Sequence, residues 1–312
     1  MLPEAMEDLS LDTLKDGGKP ALARALARLE RTPEAPEVLA LLDTAFAQPQ
    51  ARVIGVTGPP GVGKSTLLGA LIAEFRRQDL TVGVIAVDPS SKRSGGALLG
   101  DRVRLAANPE DPGAFVRSMA ARDRLGGLAV LTWAAMILMR ALFDRVILET
   151  VGVGQSETDV AEAADSVVFC VQPGSGDALQ FMKAGIVEIP DIAVVTKADM
   201  GPVAHRALAD LTGALGLAPS ETGRQVEALL VSAEERGGLH DLLEALDEHF
   251  LWLGQDGRLG RRRQAQAAQW LRESLRDRFG REGLRRLGQV NLPKGAAPFS
   301  KLAEMAAKLR GD

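Results

Sequence analysis

The sequence of 312 residues contains one cysteine and three histidines. Cys170 has no partner for an internal disulfide and lies in the apolar run Val167-Val168-Phe169-Cys170-Val171. It reads as a core residue in a protein of a reducing compartment, not as a reactive thiol. His205, His240 and His249 are scattered along segments that read as helices, and none has a Cys or His partner at metal-ligand spacing. That pattern speaks against a transition-metal site. No stretch approaches the roughly 18 uninterrupted apolar residues of a membrane span. The acidic opening MLPEAMEDLS lacks a basic-then-apolar signal pattern, so a soluble cytoplasmic protein with no membrane association is expected. A net charge of −4 argues against general nucleic-acid binding.

What is present points to one substantial core with helical appendages: 46% hydrophobic and 25% charged residues, with no internal repeat. Residues 1–48 are Ala/Leu-rich with helical periodicity at Leu22, Leu26 and Leu29, punctuated by Pro33 and Pro36. They predict a helical N-terminal extension. Over residues 49–254, short β-type runs (VIGVTG, TVGVIAVD, RVILET, SVVFCV, IAVVT and ALLVSA) alternate with amphipathic stretches. Such alternation predicts an α/β domain with a mainly parallel sheet covered on both faces. Over residues 255–312 the strands stop. Ala267, Trp270, Leu271, Leu275 and Phe279 mark one helical face, and Phe299, Leu302, Met305 and Leu309 another. These faces suit subunit contact or packing on the main domain. The ten arginines of residues 258–286, set against Glu273, Asp277 and Glu282, read as a solvated helix face or as a surface for an anion or acidic partner.

The strongest chemical signal is Gly58-Pro59-Pro60-Gly61-Val62-Gly63-Lys64-Ser65, which satisfies G-x-x-x-x-G-K-[ST] between a predicted strand and a predicted helix. Glycines let the backbone curl so that N–H groups face phosphate oxygens, and the helix starting near Thr66 adds its positive end. Lys64 supplies charge at the β- and γ-phosphates. Ser65 offers a hydroxyl to Mg²⁺, which keeps water and phosphate in most of its shell and needs few protein oxygens. Asp88 and Glu149 end predicted strands, where parallel sheets face their ligands, and Asp101 lies in the Gly-rich SGGALLGDR. Each has a metal or water role open to it, beside plain solvation. Gly152, Gly154 and Gln155 follow a strand end, where a loop can sense a γ-phosphate or simply connect.

A second nucleotide signal is Thr196-Lys197-Ala198-Asp199, which resembles the N-K-x-D guanine motif with Thr in the Asn position. Asp199 suits guanine N1–H and the 2-amino group, donors that adenine does not offer together. Lys197 can lay its stem along the base, whereas Thr196 has no amide to offer. Val231-Ser232-Ala233 resembles the S-A motif whose backbone N–H meets guanine O6. The order of these motifs favours GTP and GDP over adenine nucleotides.

The stretches GVTGPPGVGKSTL, AVDPSSKRSGGALLGDRVRL, ILETVGVGQSETDVA, QPGSGDALQFMKAGIVEIPDI and VVTKADMG resemble the MeaB/ArgK branch of P-loop GTPases, related to the methylmalonic aciduria type A protein. The resemblance spans about residues 20–312. It implies phosphate and Mg²⁺ binding by Lys64 and Ser65, an acidic cluster of Asp88, Asp101 and Glu149, and guanine held by Lys197 and Asp199. It also implies a switch over residues 172–183 with Asp177 and Lys183 as coupling residues, a homodimer, and a partner mutase that uses adenosylcobalamin on a methylmalonyl-CoA-type substrate. Thr196, and SMAARDR where Gly-Ser is expected before LGG, depart from that pattern. Gln155 is the candidate for orienting water. Three rivals remain in view: a nickel-insertion GTPase, disfavoured by the missing Cys and His ligands; an ATP-using kinase of amino-acid transport, disfavoured by Asp199; and a scaffold that holds nucleotide without turnover.

Overall fold

A computed structural model describes residues 9–89, 108, 110–121, 130–150, 160–174, 190–217 and 224–311. In chain order the elements are α1 (Leu11–Arg31), α2 (Pro36–Ala47), β1 (Arg52–Thr57), α3 (Lys64–Arg77), β2 (Val82–Pro89), β3 (Ala114–Ala121) and α4 (Val130–Arg140). There follow β4 (Arg145–Glu149), β5 (Ser166–Val171), β6 (Ile192–Val195), α5 (Pro202–Leu217), β7 (Glu227–Leu230), α6 (Leu239–Gly254), α7 (Arg258–Leu287) and α8 (Pro298–Arg310). The chain divides into two compact units, one of Arg52–Leu128 and Arg145–Arg263, the other of Met1–Ala51, Ala129–Asp144 and Gln264–Asp312.

The first unit holds a seven-stranded sheet in the order β3-β2-β4-β1-β5-β6-β7, with parallel pairing throughout. Burial on both faces is why its central strands read as unbroken apolar runs. One strand escaped the sequence reading. β3, AFVRSMAA, lies at the sheet edge with half-buried residues, so its pattern carries Arg117 and Ser118 and looks like loop. On one face Leu67, Leu68, Leu71, Ile72 and Phe75 of α3 join Val56, Val84 and Ile147 and the α6 residues Leu242 and Leu246 in one core. At roughly 1.5–3 kcal/mol per large apolar side chain fully buried, that core holds α3 firmly under the loop that precedes it. Ala204 and Leu211 of α5 pack on Phe169, Val171, Ala193 and Val195. The chain runs to one side of β1 through β2, β3 and β4, then to the other through β5, β6 and β7. The C-terminal end of β1 is therefore a topological switch point, where open parallel sheets bind ligands.

At the opposite end of the strands, two ion pairs from the start of α7 hold the N-termini of β5 and β6. Arg263 grips Asp165, which is 1% exposed, through Nε at 2.8 Å and Nη2 at 2.6 Å. Arg262 grips Asp191 through Nη1 at 3.1 Å and Nη2 at 2.9 Å. Each carboxylate also accepts a strand N–H, Asp165 from Val53 and Asp191 from Val167, both at 2.8 Å. His249, on α6 and 1% exposed, bridges Ser166 Oγ at 2.7 Å and Asp191 Oδ1 at 3.2 Å. Burial pushes the Asp191 carboxyl up, but His249 and Arg262 outweigh it and hold the group at about 2. Arg262 and Arg263 thus neither solvate their helix nor wait for a foreign anion. They pair with carboxylates just before β5 and β6, a role that lies outside both readings of the arginine run.

The second unit is helical and is assembled from three separate stretches of chain. Trp133 of α4 stacks on Trp270 of α7 with centroids 4.5 Å apart, and Phe299 of α8 lies 4.8 Å from Trp270. Leu22, Leu26 and Leu29 of α1 and Leu41 and Leu42 of α2 are buried, as are Leu271, Leu275, Leu302 and Leu309. α8 has no local side-chain cap. Instead Asp43 of α2 accepts the N–H groups of Phe299 at 3.0 Å and Ser300 at 2.9 Å. The apolar faces that suited subunit contact in the sequence are therefore covered within the chain itself. Among the described residues no helix is long and apolar enough to cross a membrane.

Candidate functional site

β1 ends at Thr57 and α3 begins at Lys64, so residues 58–65 form the turn at the switch point. Gly58 has φ 134, and a Cβ there would lie 2.1 Å from the Cys170 carbonyl oxygen, so no side chain fits between this loop and β5. Gly61 and Gly63, at φ 80 and 100, share the left-handed backbone that lets successive N–H groups converge on an anion. Lys64 is 7% exposed and folds back over its own loop, with Nζ donating to Gly58 O at 2.7 Å and Pro59 O at 2.9 Å. Burial pushes the Cys170 thiol up to about 12, in keeping with an inert core residue.

Glu149 closes β4, level with Val56 of β1 and Ala86 of β2. It is 7% exposed, and its Oε1 accepts from Ser65 Oγ at 2.8 Å. A buried carboxylate beside a hydroxyl is a hard-oxygen pair of the kind Mg²⁺ takes, so these residues fit that ion. No group of three or more His, Cys, Asp or Glu that could hold a metal gathers among the described residues. Asp88 belongs to β2, its backbone paired with Ala120 two residues beyond the level of Glu149. The Asp88 side chain lies outside the described residues. So do Asp101, Gly152, Gly154, Gln155, Asp177 and Lys183, and of residues 172–183 only 172–174 are described.

The base-side motifs meet the phosphate loop from β6. Thr196 is buried, and its Oγ1 lies 2.6 Å from Val62 O and 3.0 Å from Val171 O. The hydroxyl, standing where an amide is usual, ties this loop to both the phosphate loop and β5. Spacing along the chain carried no sign of that bond. Lys197 Nζ donates to Gly61 O at 3.2 Å and to Gln172 Oε1 at 2.8 Å. Asp199 Oδ1 accepts from Ser232 Oγ at 2.7 Å, which joins the third motif to the second. The Ser232 N–H is committed to Gly237 O at 2.9 Å. Lys64, Ser65, Glu149, Lys197, Asp199 and Ser232 thus come from four strands to the C-terminal end of the sheet.

The family model for the methylmalonyl Co-A mutase-associated GTPase MeaB matches residues 22–284. The chain belongs to the MeaB family. It is 42% identical over 263 residues to a putative GTPase of Pyrococcus abyssi, covering 83% of this chain and 80% of that one. It is 36% identical over 284 residues to GTPase ArgK of Escherichia coli, covering 89% and 86%. A crystal structure of an LAO/AO transport system kinase superposes with a TM-score of 0.68 at 28% identity over 99% of both chains. This MeaB-family chain is a P-loop GTPase that binds guanine nucleotide.

Proposed function

We propose that this chain hydrolyses GTP in a Mg²⁺-dependent reaction at the C-terminal end of β1, and that it acts as a chaperone gating adenosylcobalamin loading of a methylmalonyl-CoA-type mutase. The observation that carries the reading is the convergence of the Ser65–Glu149 pair and the Asp199–Ser232 pair at the C-terminal end of the sheet. Lys64 and the backbone N–H groups of residues 61–66 take the phosphates, backed by the positive end of α3. Lys64 exchanges the carbonyls of Gly58 and Pro59 for phosphate oxygens, which are charged and stronger acceptors. Ser65 and Glu149, with Asp88 and Asp101, would hold Mg²⁺, whose bound charge stabilises the phosphate oxygens.

At the other end, Asp199 accepts from guanine N1–H and the 2-amino group while Lys197 lies along the base. With the Ser232 N–H already committed, the N–H of Ala233 meets guanine O6. Gln155 orients the attacking water, and the partner completes the site and raises a slow intrinsic turnover. The family description, mutase-associated, supports the choice of partner. A cytoplasmic homodimer completes the reading, with its contact outside the α7 and α8 faces buried within the helical unit. Calorimetry with GDP and ADP on wild type and Asp199→Ala, then GTP turnover with a methylmalonyl-CoA-type mutase, tests it. Tight GDP binding lost in the variant, with turnover raised by the mutase, is expected. Equal ADP binding would favour the transport-kinase reading, which rests on the name of the 28% identical structure. No effect of the mutase would remove the chaperone role.

A further inference from the structure

Three consecutive residues at the end of β5 hold the two nucleotide loops. The Cys170 carbonyl closes against Gly58. The Val171 carbonyl accepts from the Thr196 N–H at 2.9 Å. The Gln172 side chain, Oε1, accepts from Lys197 Nζ at 2.8 Å, while the same Nζ reaches Gly61 O at 3.2 Å. The first two contacts use backbone and tolerate many side chains on β5. The third depends on what residue 172 is.

Lys197 itself is in a demanding position. It adopts the left-handed conformation, φ 53 and ψ 45, immediately before the turn that carries Asp199. The Cβ of any residue but glycine makes that backbone costly, so its surroundings must offset the cost. A free lysine also has one of the largest rotamer entropies to lose when it is ordered. Tethered at Nζ to both the phosphate loop and β5, its four-carbon stem is already set when a nucleotide arrives. The stem stays close to the phosphate loop, since a Cβ at Gly63 would lie 3.9 Å from Lys197 Cε.

We infer that Gln172 is a positioning residue for guanine-nucleotide binding, acting through Lys197 and not on the nucleotide itself. Its carboxamide preorganises the lysine that lies along the base. This rests on the assignment of Lys197 to the base, made above. Removing the amide leaves the stem to be ordered at the moment of binding, and affinity falls by the cost of ordering one long side chain.

The test measures GDP affinity by calorimetry on the full chain as wild type, Gln172→Ala and Gln172→Glu. Alanine is expected to raise the Kd about three- to tenfold, the range for immobilising one rotamer-rich side chain. Glutamate keeps an acceptor for the ammonium and is expected to stay within about twofold of wild type. In steady-state GTP turnover the alanine loss falls on KM and not on kcat. An alanine variant that binds GDP like wild type, a glutamate variant as weak as alanine, or a loss confined to kcat would each overturn the assignment. Wild type that binds ADP as tightly as GDP would instead overturn the guanine site beneath it, a result that needs no variant.

Discussion

Thr196 carries a consequence that its spacing in the chain does not announce. Its buried hydroxyl donates into the phosphate loop at Val62 O and so bonds the Thr196 loop to the phosphate loop. Thr196→Val has nearly the same shape but leaves that carbonyl without its donor, at about 1–3 kcal/mol for a buried group. Denaturant unfolding is expected to show that loss in the valine variant. Thr196→Ser should remain near wild type, and unchanged stability of the valine variant would mean the hydroxyl is idle. Lys64, Ser65 and Gly58 were legible from local sequence because the phosphate loop is one continuous stretch with a fixed geometry. The bonds made by Thr196 and Gln172 were not, because they reach residues 62 and 197 across 134 and 25 residues of chain.

Among the elements, α7 departs furthest from its sequence pattern. Its arginine-rich start looks like solvated surface, yet Arg262 and Arg263 pair with Asp191 and Asp165 just before β6 and β5. Asp191 is lowered from 3.8 to about 2, so its contribution is present above the unfolded value and is lost as pH falls toward 2. By linkage this amounts to about 2 kcal/mol, an order-of-magnitude figure. Denaturant unfolding between pH 6 and pH 3 should therefore show a smaller loss of stability in Asp191→Asn than in wild type. Equal slopes in the two proteins would mean that the ion pair contributes nothing. β3 taught the opposite lesson from the central strands: an edge strand half open to solvent has no unbroken apolar run to betray it.

For the molecule as a whole, the helical unit is made of the chain's beginning, its end and α4 from the middle. Trp270 and Phe299 pack on Trp133 within that unit, so residues 255–312 are structural partners of α4 and not a detachable tail. A chain ending at Gly254 would expose Trp133 and leave Asp165 and Asp191 without their arginines. It is expected to be insoluble or to lack a cooperative thermal transition by circular dichroism. A soluble, cooperatively folding, GDP-binding truncation would show the helices to be dispensable. The sequence by itself determined the α/β class, the phosphate loop and the order of the base motifs. Each of these is written in contiguous residues whose periodicity or glycine spacing has only one economical backbone. Tertiary structure alone decided that the C-terminal apolar faces are spent inside the chain, that two arginines pair with carboxylates before β5 and β6, and that the end of β5 meets both the phosphate loop and the Thr196–Asp199 loop. Those outcomes depend on which distant segments meet, and contact between distant segments leaves no periodic trace along the chain.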